Sequence, residues 1–346
     1  MTCLGPPPVR TISESGPAGR WVLHDGAIRP AGEVRLTAST QALNYGTGVF
    51  EGIRSYRDAA GGGANLFRLR EHYARLAQGA RLLRIDLGFG VDELSALTVK
   101  LLQRNGHQQD DAYIRPLAYK LALEPGASFG VKLRQVTSAL TVVTLPMGRY
   151  VPAQGVRCRT SAWRRVPDAA LPARFKITGG YANNAIAADD AHSAGFDDAI
   201  LLDMHGYVAE ASTANIFLVH RGELITPPAG ADILPGITRA SVIELARREL
   251  SAVVVERPVA RSELLTADEV FLTGTGVEVV GVPDVDGEII GEGGVGPVTR
   301  ALARLYDAAV RGRLDGYRHW LTPVPGGSGP TRESLAGTGT VQGGPT

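Results

Sequence analysis

RFKITGGYANN, residues 174–184, sets Lys176 between apolar neighbours and follows it with paired glycines and a tyrosine. A lysine beside Phe175 and Ile177 loses part of the solvation of its charged form. Its pKa is expected to fall, which frees the amine for condensation with a carbonyl. The glycines allow close backbone approach. Most lysines are solvated surface residues, so this segment gains weight only from what accompanies it.

Three further segments downstream supply that company. In GYVAEASTANIF, residues 206–217, Glu210 ends a strand-like run, where a carboxylate can pair with a protonated heteroaromatic nitrogen. ILPGITRASVIELARREL, residues 233–250, puts Ile237 and Thr238 at a helix start, where free backbone N–H groups and the helix dipole favour a phosphate. FLTGTGVEVV, residues 271–280, runs a strand into a Gly-rich turn whose amides can hold a carboxylate. That turn lacks the lysine and the length of GxxxxGK[ST], which sets nucleoside-triphosphate binding aside. Taken singly, each segment also reads as ordinary structure: a solvated loop glutamate, a capped helix, a turn.

Around these segments the pattern is α+β. Asp25-Gly26 marks an early hairpin, and ANLFRL and YIRPLAYKLAL read as strands. Tyr73 to Leu83 and Val91 to Leu102 keep helical spacing, as do runs beginning at Thr238 and Pro297. Strands are expected around Val156, Asp198 to Leu202, Ala214 to Val219, Val253 to Glu256 and Glu269 to Thr273. The expected organisation is a smaller N-terminal domain over 1–145, a connection over 146–152, a larger domain over 153–321 and a disordered Gly/Pro-rich tail over 322–346.

The 346 residues are 44% hydrophobic, enough for a large core, and carry 36 basic against 35 acidic residues. No basic stripe stands out, so a small-molecule ligand is expected rather than nucleic acid or an anionic membrane. No apolar run has the length of a bilayer span, and MTCLGPPPVR lacks a signal-peptide core. Cytoplasmic residence is therefore the expectation. Cys3 and Cys158 form no metal-type set. The seven histidines give no HxxxH or HxH pair, and His192 and His205 read as surface residues, so no metal is expected.

The four segments in this order resemble the class IV aminotransferases, the fold type IV pyridoxal-phosphate enzymes. The likeness extends over nearly the whole chain, through NYGTGVFEGIR, REHYARL, AYIRPL, FKITGGY, GYVAEASTANIF, LPGITR, LTGTGVEV and GPVTR. FEGIR and YIRP are most similar to the branched-chain enzymes. The resemblance implies pyridoxal 5'-phosphate carried on Lys176, which would also move the substrate α-proton. Glu210 would hold the pyridine nitrogen and Tyr181 the ring hydroxyl. Arg75, the amides of Ile237 and Thr238, and the Thr275 hydroxyl would hold the phosphate. The amides of Gly276 and Val277, with Tyr113 and Arg115, would take substrate carboxylates, and Tyr45, Phe50 and Tyr150 would wall the side-chain pocket. The implied reaction moves the amino group of a branched-chain or similar hydrophobic L-amino acid to 2-oxoglutarate, with ping-pong kinetics, in a homodimer.

Two departures bear on the substrate. Met147 stands where bacterial branched-chain enzymes usually have tryptophan, and LALEPGASFG replaces a commoner Gly-rich loop. The competing readings are another fold type IV enzyme (a D-amino-acid or (R)-amine transaminase, or an aminodeoxychorismate-type lyase) and a cofactor-binding protein without turnover.

Overall fold

A computed structural model describes residues 19–149 and 151–326. The N-terminal hairpin follows from its turn: Asp25 and Gly26 both take positive φ, 45° and 80°, the geometry that matches strand twist, and they join Trp21–His24 to Ala27–Pro30. This hairpin extends an eight-stranded sheet through Val136–Pro146, Ala112–Leu123, Ile53–Arg57 and Gly63–Phe67, with Gly48–Phe50 pairing beside Ala112–Leu123. Helices Leu69–Leu82 and Val91–Arg104 bury Leu69, Tyr73, Leu76, Leu94 and Leu101 against it, as the apolar spacing requires.

Gly79 sets how closely the first of these helices approaches the site. A Cβ there would lie 3.1 Å from Val49 and 3.4 Å from Phe175, so the helix rests directly on the strand Gly48–Phe50 and on the Lys176 loop. Arg75 and His72, about one and two turns before Gly79, share that close approach.

Two five-stranded sheets build the rest. One holds Val208–Ala211, Asp198–Leu202, Arg157–Arg164, Asp284–Val285 and Glu288–Ile289. The other holds Val253–Glu256, Glu223–Thr226, Asn215–His220, Glu269–Gly274 and Glu278–Gly281. Strand period shows in Asn215–His220: Ile216 and Leu218 pack with Ile200 and Leu202 between the sheets, while Phe217 and Val219 face helices Ile237–Glu249 and Pro297–Val310. Helix Tyr181–Ser193 covers the far side of the first of these sheets through Ala187 and Ala191 on Ala199 and Leu201.

One expectation is corrected. The chain from Thr322 does not begin a disordered tail, because Leu321–Pro325 pairs antiparallel with Gly63–Phe67 and buries Val324. Pro323 and Pro325 are compatible with this strand because it is the sheet edge, where no further partner needs their missing N–H. The rest of the expected tail beyond Gly326, like Cys3 and Tyr150, lies outside the described residues. Among the described residues, no helix is long and apolar enough to cross a membrane.

Candidate active site

The Lys176 loop is stitched to the first sheet. Phe50 donates its N–H to the Lys176 carbonyl at 3.0 Å, Val49 bridges Ile177, and the Thr178 hydroxyl donates to the Gly46 carbonyl at 2.8 Å. A Cβ at Gly46 would strike Gly179 Cα, so this glycine pair permits the contact. Lys176 thereby projects into a cavity of about 710 Å³. Its ammonium donates to Tyr181 Oη at 2.8 Å and lies 5.0 Å from the centre of the Phe50 ring, which meets the Tyr181 ring edge to face.

Glu210 forms another wall. A register irregularity between Val208 and Glu210 locally disrupts the strand, and the carboxyl is 5% exposed. Oε2 accepts from Asn215 Nδ2 and from the Leu234 amide, each at 3.1 Å. Arg165 Nε approaches Oε1 at 2.9 Å, but off the line that a hydrogen bond needs, while its Nη1 donates to Asn184 Oδ1 at 2.9 Å. Burial pushes the Glu210 carboxyl above the usual carboxylate range, against the pull of Arg165 and the Leu234 amide.

Beside it, helix Ile237–Glu249 starts at Gly236 with no side-chain cap, leaving first-turn amides at the cavity edge. A Cβ at Gly236 would collide with Asn215 Oδ1, so glycine is what fits there. Arg75 reaches the same place. Its Nη1 donates to the Pro235 carbonyl at 2.9 Å, while Nε and Nη2 donate to Glu51 Oε1 and Oε2 at 2.6 and 2.8 Å. His72 Nδ1 is 2.8 Å from Glu51 Oε2. Although burial alone would raise the Glu51 pKa, the Arg75 guanidinium and His72 hold it well below the usual carboxylate range.

The remaining wall is mixed. Arg115 donates to Tyr113 Oη from Nε at 3.1 Å and Nη2 at 2.7 Å, with its guanidinium 4.6 Å over Phe50. Leu117, Leu145 and Met147 add apolar surface, and the turn Thr275–Val277 closes the cavity. Behind that turn Glu278 sits at φ 59° with its carboxylate held at 3.0 Å by Arg54, which also donates to the Met147 carbonyl at 2.7 Å. Burial raises the Glu278 pKa, opposed by Arg54.

Lys176, Tyr181, Glu210, Arg75, Ile237, Thr238 and Thr275 thus line one cavity, together with Phe50, Tyr113, Arg115, Gly276 and Val277. Tyr45 is not brought into it: it ends the short helix Gln41–Tyr45, half-buried and away from the lining. Sequence reading missed Glu51, His72, Arg165, Asn184 and Asn215. Glu51, His72, Asn184 and Asn215 lie inside quoted motifs, and Arg165 lies in none. Among the described residues, no group of three or more His, Cys, Asp or Glu could hold a metal ion.

Similarity to known proteins agrees with this geometry. The family model for class IV amino-transferases matches residues 48–285. A probable branched-chain-amino-acid aminotransferase of Aquifex aeolicus is 43% identical over 303 residues, 87% of this chain and 95% of the relative. The crystal structure of the branched-chain amino acid aminotransferase from Thermobaculum terrenum, in its PLP-bound holo-form, is 34% identical, with a TM-score of 0.83 over 89% of this chain and 99% of that one. The branched-chain aminotransferase of Thermoproteus uzoniensis, crystallised with norvaline, is 37% identical with a TM-score of 0.82 over 88% and 99%.

Proposed function

Because the chain belongs to the class IV aminotransferases, we propose that it moves the amino group of a branched-chain or similar hydrophobic L-amino acid to 2-oxoglutarate, with pyridoxal 5'-phosphate as cofactor. The observation that carries this reading is the convergence of Lys176, Glu210, Arg75 and an uncapped helix N-terminus on one cavity. The residues present fit the cofactor: an amine, a buried carboxyl and unused N–H donors are the groups a phosphorylated pyridine aldehyde requires.

When bound, the cofactor supplies an aldehyde that condenses with amines and a protonated ring that draws electron density from the substrate α-carbon. Lys176 Nζ would anchor it and would serve as the base for the substrate α-proton, and Tyr181 Oη, 2.8 Å away, orients Nζ for that role. Glu210 keeps the ring nitrogen protonated. Arg75, the amides of Ile237 and Thr238 and the Thr275 hydroxyl hold the phosphate and fix the ring. The amides of Gly276 and Val277, with Tyr113, take the α-carboxylate. Arg115 sits at the edge of the apolar surface made by Phe50, Leu117 and Met147, so one pocket serves an apolar side chain or a distal carboxylate. The flexible thioether of Met147 widens the range of side chains that pack there.

The same reading makes the protein a cytoplasmic homodimer. The dimer is supported by apolar side chains left in solvent, Leu43 on the short helix and Phe129 in the LALEPGASFG loop, 70% and 84% exposed. Tyr45, on that helix, then belongs to a pocket completed across the dimer.

Titrating purified protein with L-leucine, L-valine, D-alanine and an aromatic amine tests the assignment through the cofactor absorbance. L-Leucine should convert the cofactor to its aminated form. Conversion by D-alanine or the amine alone overturns the substrate class. Borohydride reduction followed by mass spectrometry should fix the cofactor on Lys176, and its absence there overturns the cofactor reading.

A further inference from the structure

We propose that Glu51 and His72 are positioning residues for the phosphate: they decide which N–H groups of Arg75 face the cofactor, and so act on it only through that guanidinium. The inference rests on the cofactor reading above. A guanidinium has five N–H groups in a fixed plane. Glu51 occupies one edge, taking Nε on Oε1 and Nη2 on Oε2, and the Pro235 carbonyl takes one N–H of Nη1. Two N–H groups are left, one on Nη1 and one on Nη2. They sit beside Gly236 and Ile237, because Pro235 is the residue that leads into the uncapped helix. The two anion-binding features are therefore held in register by one carbonyl.

His72 fixes the other end of the arrangement. A carboxylate only accepts hydrogen bonds, so at 2.8 Å from Oε2 the His72 Nδ1 must carry the proton. Oε2 then receives His72 and Arg75 Nη2 together, Oε1 receives Nε, and the carboxylate plane is locked to the guanidinium plane. Glu51 and His72 are 1% and 2% exposed and are not part of the cavity lining, so neither reaches the cofactor directly. Glu51 also neutralises Arg75 in advance. The remaining N–H groups then serve as oriented donors, with the helix N-terminus sharing the phosphate charge.

An ion pair that merely fastened helix Leu69–Leu82 to the sheet would affect every ligand of the site alike, whereas a phosphate-positioning pair affects ligands that carry the phosphate. The experiment is a comparison of pyridoxal 5'-phosphate with pyridoxal, titrated by absorbance into wild type and Glu51→Gln. Glu51→Gln should weaken pyridoxal 5'-phosphate about 10–100-fold, by analogy with the loss of a partner that orients a metal ligand, and leave pyridoxal within about threefold. Equal losses for both ligands, or unchanged pyridoxal 5'-phosphate affinity in a folded variant, overturn the proposal. If circular dichroism shows Glu51→Gln unfolded, the decision passes to His72→Phe and His72→Asn. The phenylalanine should weaken only the phosphorylated ligand, and the asparagine, whose amide can stand in for Nδ1–H, should restore it. No difference between those two overturns the proposal. Failure of wild type to bind pyridoxal 5'-phosphate is a separate result that strikes the cofactor reading itself.

Discussion

Glu51 and Glu210 are buried to nearly the same degree around one cavity, and each meets an arginine, yet their pKa values move in opposite directions. The difference lies in donor geometry. Glu51 receives a bidentate guanidinium in line and an imidazole N–H, and is a permanent anion. Glu210 receives two neutral N–H groups, while Arg165 approaches off line and spends Nη1 on Asn184. Its carboxylate is stabilised less than its burial costs, despite Arg165, and has room for a further cation. A protonated ring nitrogen is such a cation, so the comparison separates a carboxylate that shapes the site from one that waits for a ligand.

The sharpest way to break the comparison is to neutralise each carboxylate in the apoprotein. Glu51→Gln strands a buried guanidinium, which should cost about 3–5 kcal/mol. At roughly 1.4 °C per kcal/mol for a chain of 346 residues, the thermal midpoint should fall by roughly 4–7 °C. Glu210→Gln puts a neutral amide where the surroundings already favour a neutral carboxyl. Its midpoint should stay level with wild type or rise. Equal losses in the two variants would mean that burial alone, and not donor geometry, governs both.

Turnover should reverse the ranking. Glu210→Gln keeps the fold but removes the group that holds the ring-nitrogen proton, and kcat should fall about 10²–10³-fold, the scale of losing one electrostatic stabiliser. A steady-state assay with L-leucine and 2-oxoglutarate reads this directly. A variant within a few-fold of wild type would end the ring-nitrogen role of Glu210.

How much of this the sequence shows depends on how local each feature is. Lys176, Tyr181 and Glu210 were legible because the residue types that do the chemistry sit in short strings, and the hairpin at Asp25-Gly26 was legible because its turn is a property of two residues. The work of Glu51 was not, although FEGIR was in view. It depends on Gly79 letting a helix settle on Val49, and that contact exists only in three dimensions. Arg165 sits at the end of an ordinary strand and meets Glu210 only through fold geometry. Helix Tyr181–Ser193 escaped the period test because just Asn184, Ala187 and Ala191 are buried on it. The strand Leu321–Pro325 escaped because an edge strand with two prolines looks like a linker by composition.

The pH dependence sharpens the comparison further. Glu51 has a lowered pKa, so its contribution to stability is present above the unfolded value near 4.5 and is lost as pH falls through the folded value. Glu210 has a raised pKa, so its contribution is present below 4.5 and is lost as pH rises through the folded value. His72 is lowered by burial, despite Glu51, and adds a loss of stability as pH falls below 6.5. Subtracting the Glu210→Gln curve from wild type cancels Glu51 and His72. Denaturation of both apoproteins should then show wild type losing stability relative to the variant as pH rises above 4.5, and a flat difference would contradict the Glu210 assignment. Binding of a cationic ring nitrogen should remove that loss.

The smallest expected effect tests the cause most directly. If Asn184 is what keeps Arg165 off line, Asn184→Ala frees the guanidinium to turn toward Glu210 Oε1. The bonds lost, from Arg165 Nη1 and to the Ser212 carbonyl, are worth about 1 kcal/mol each. A better aligned ion pair offsets part of that, so the net change at neutral pH should stay within about 2 kcal/mol. The informative quantity is the direction of titration. Glu210 should move toward the behaviour of Glu51, and the loss of stability above pH 4.5 should weaken in Asn184→Ala compared with wild type. Cofactor affinity should fall at the same time, since a carboxylate already satisfied by Arg165 gains less from a ring nitrogen. An unchanged pH slope would show that the off-line approach is set by the backbone around Arg165 and Glu210, and that Asn184 only follows it.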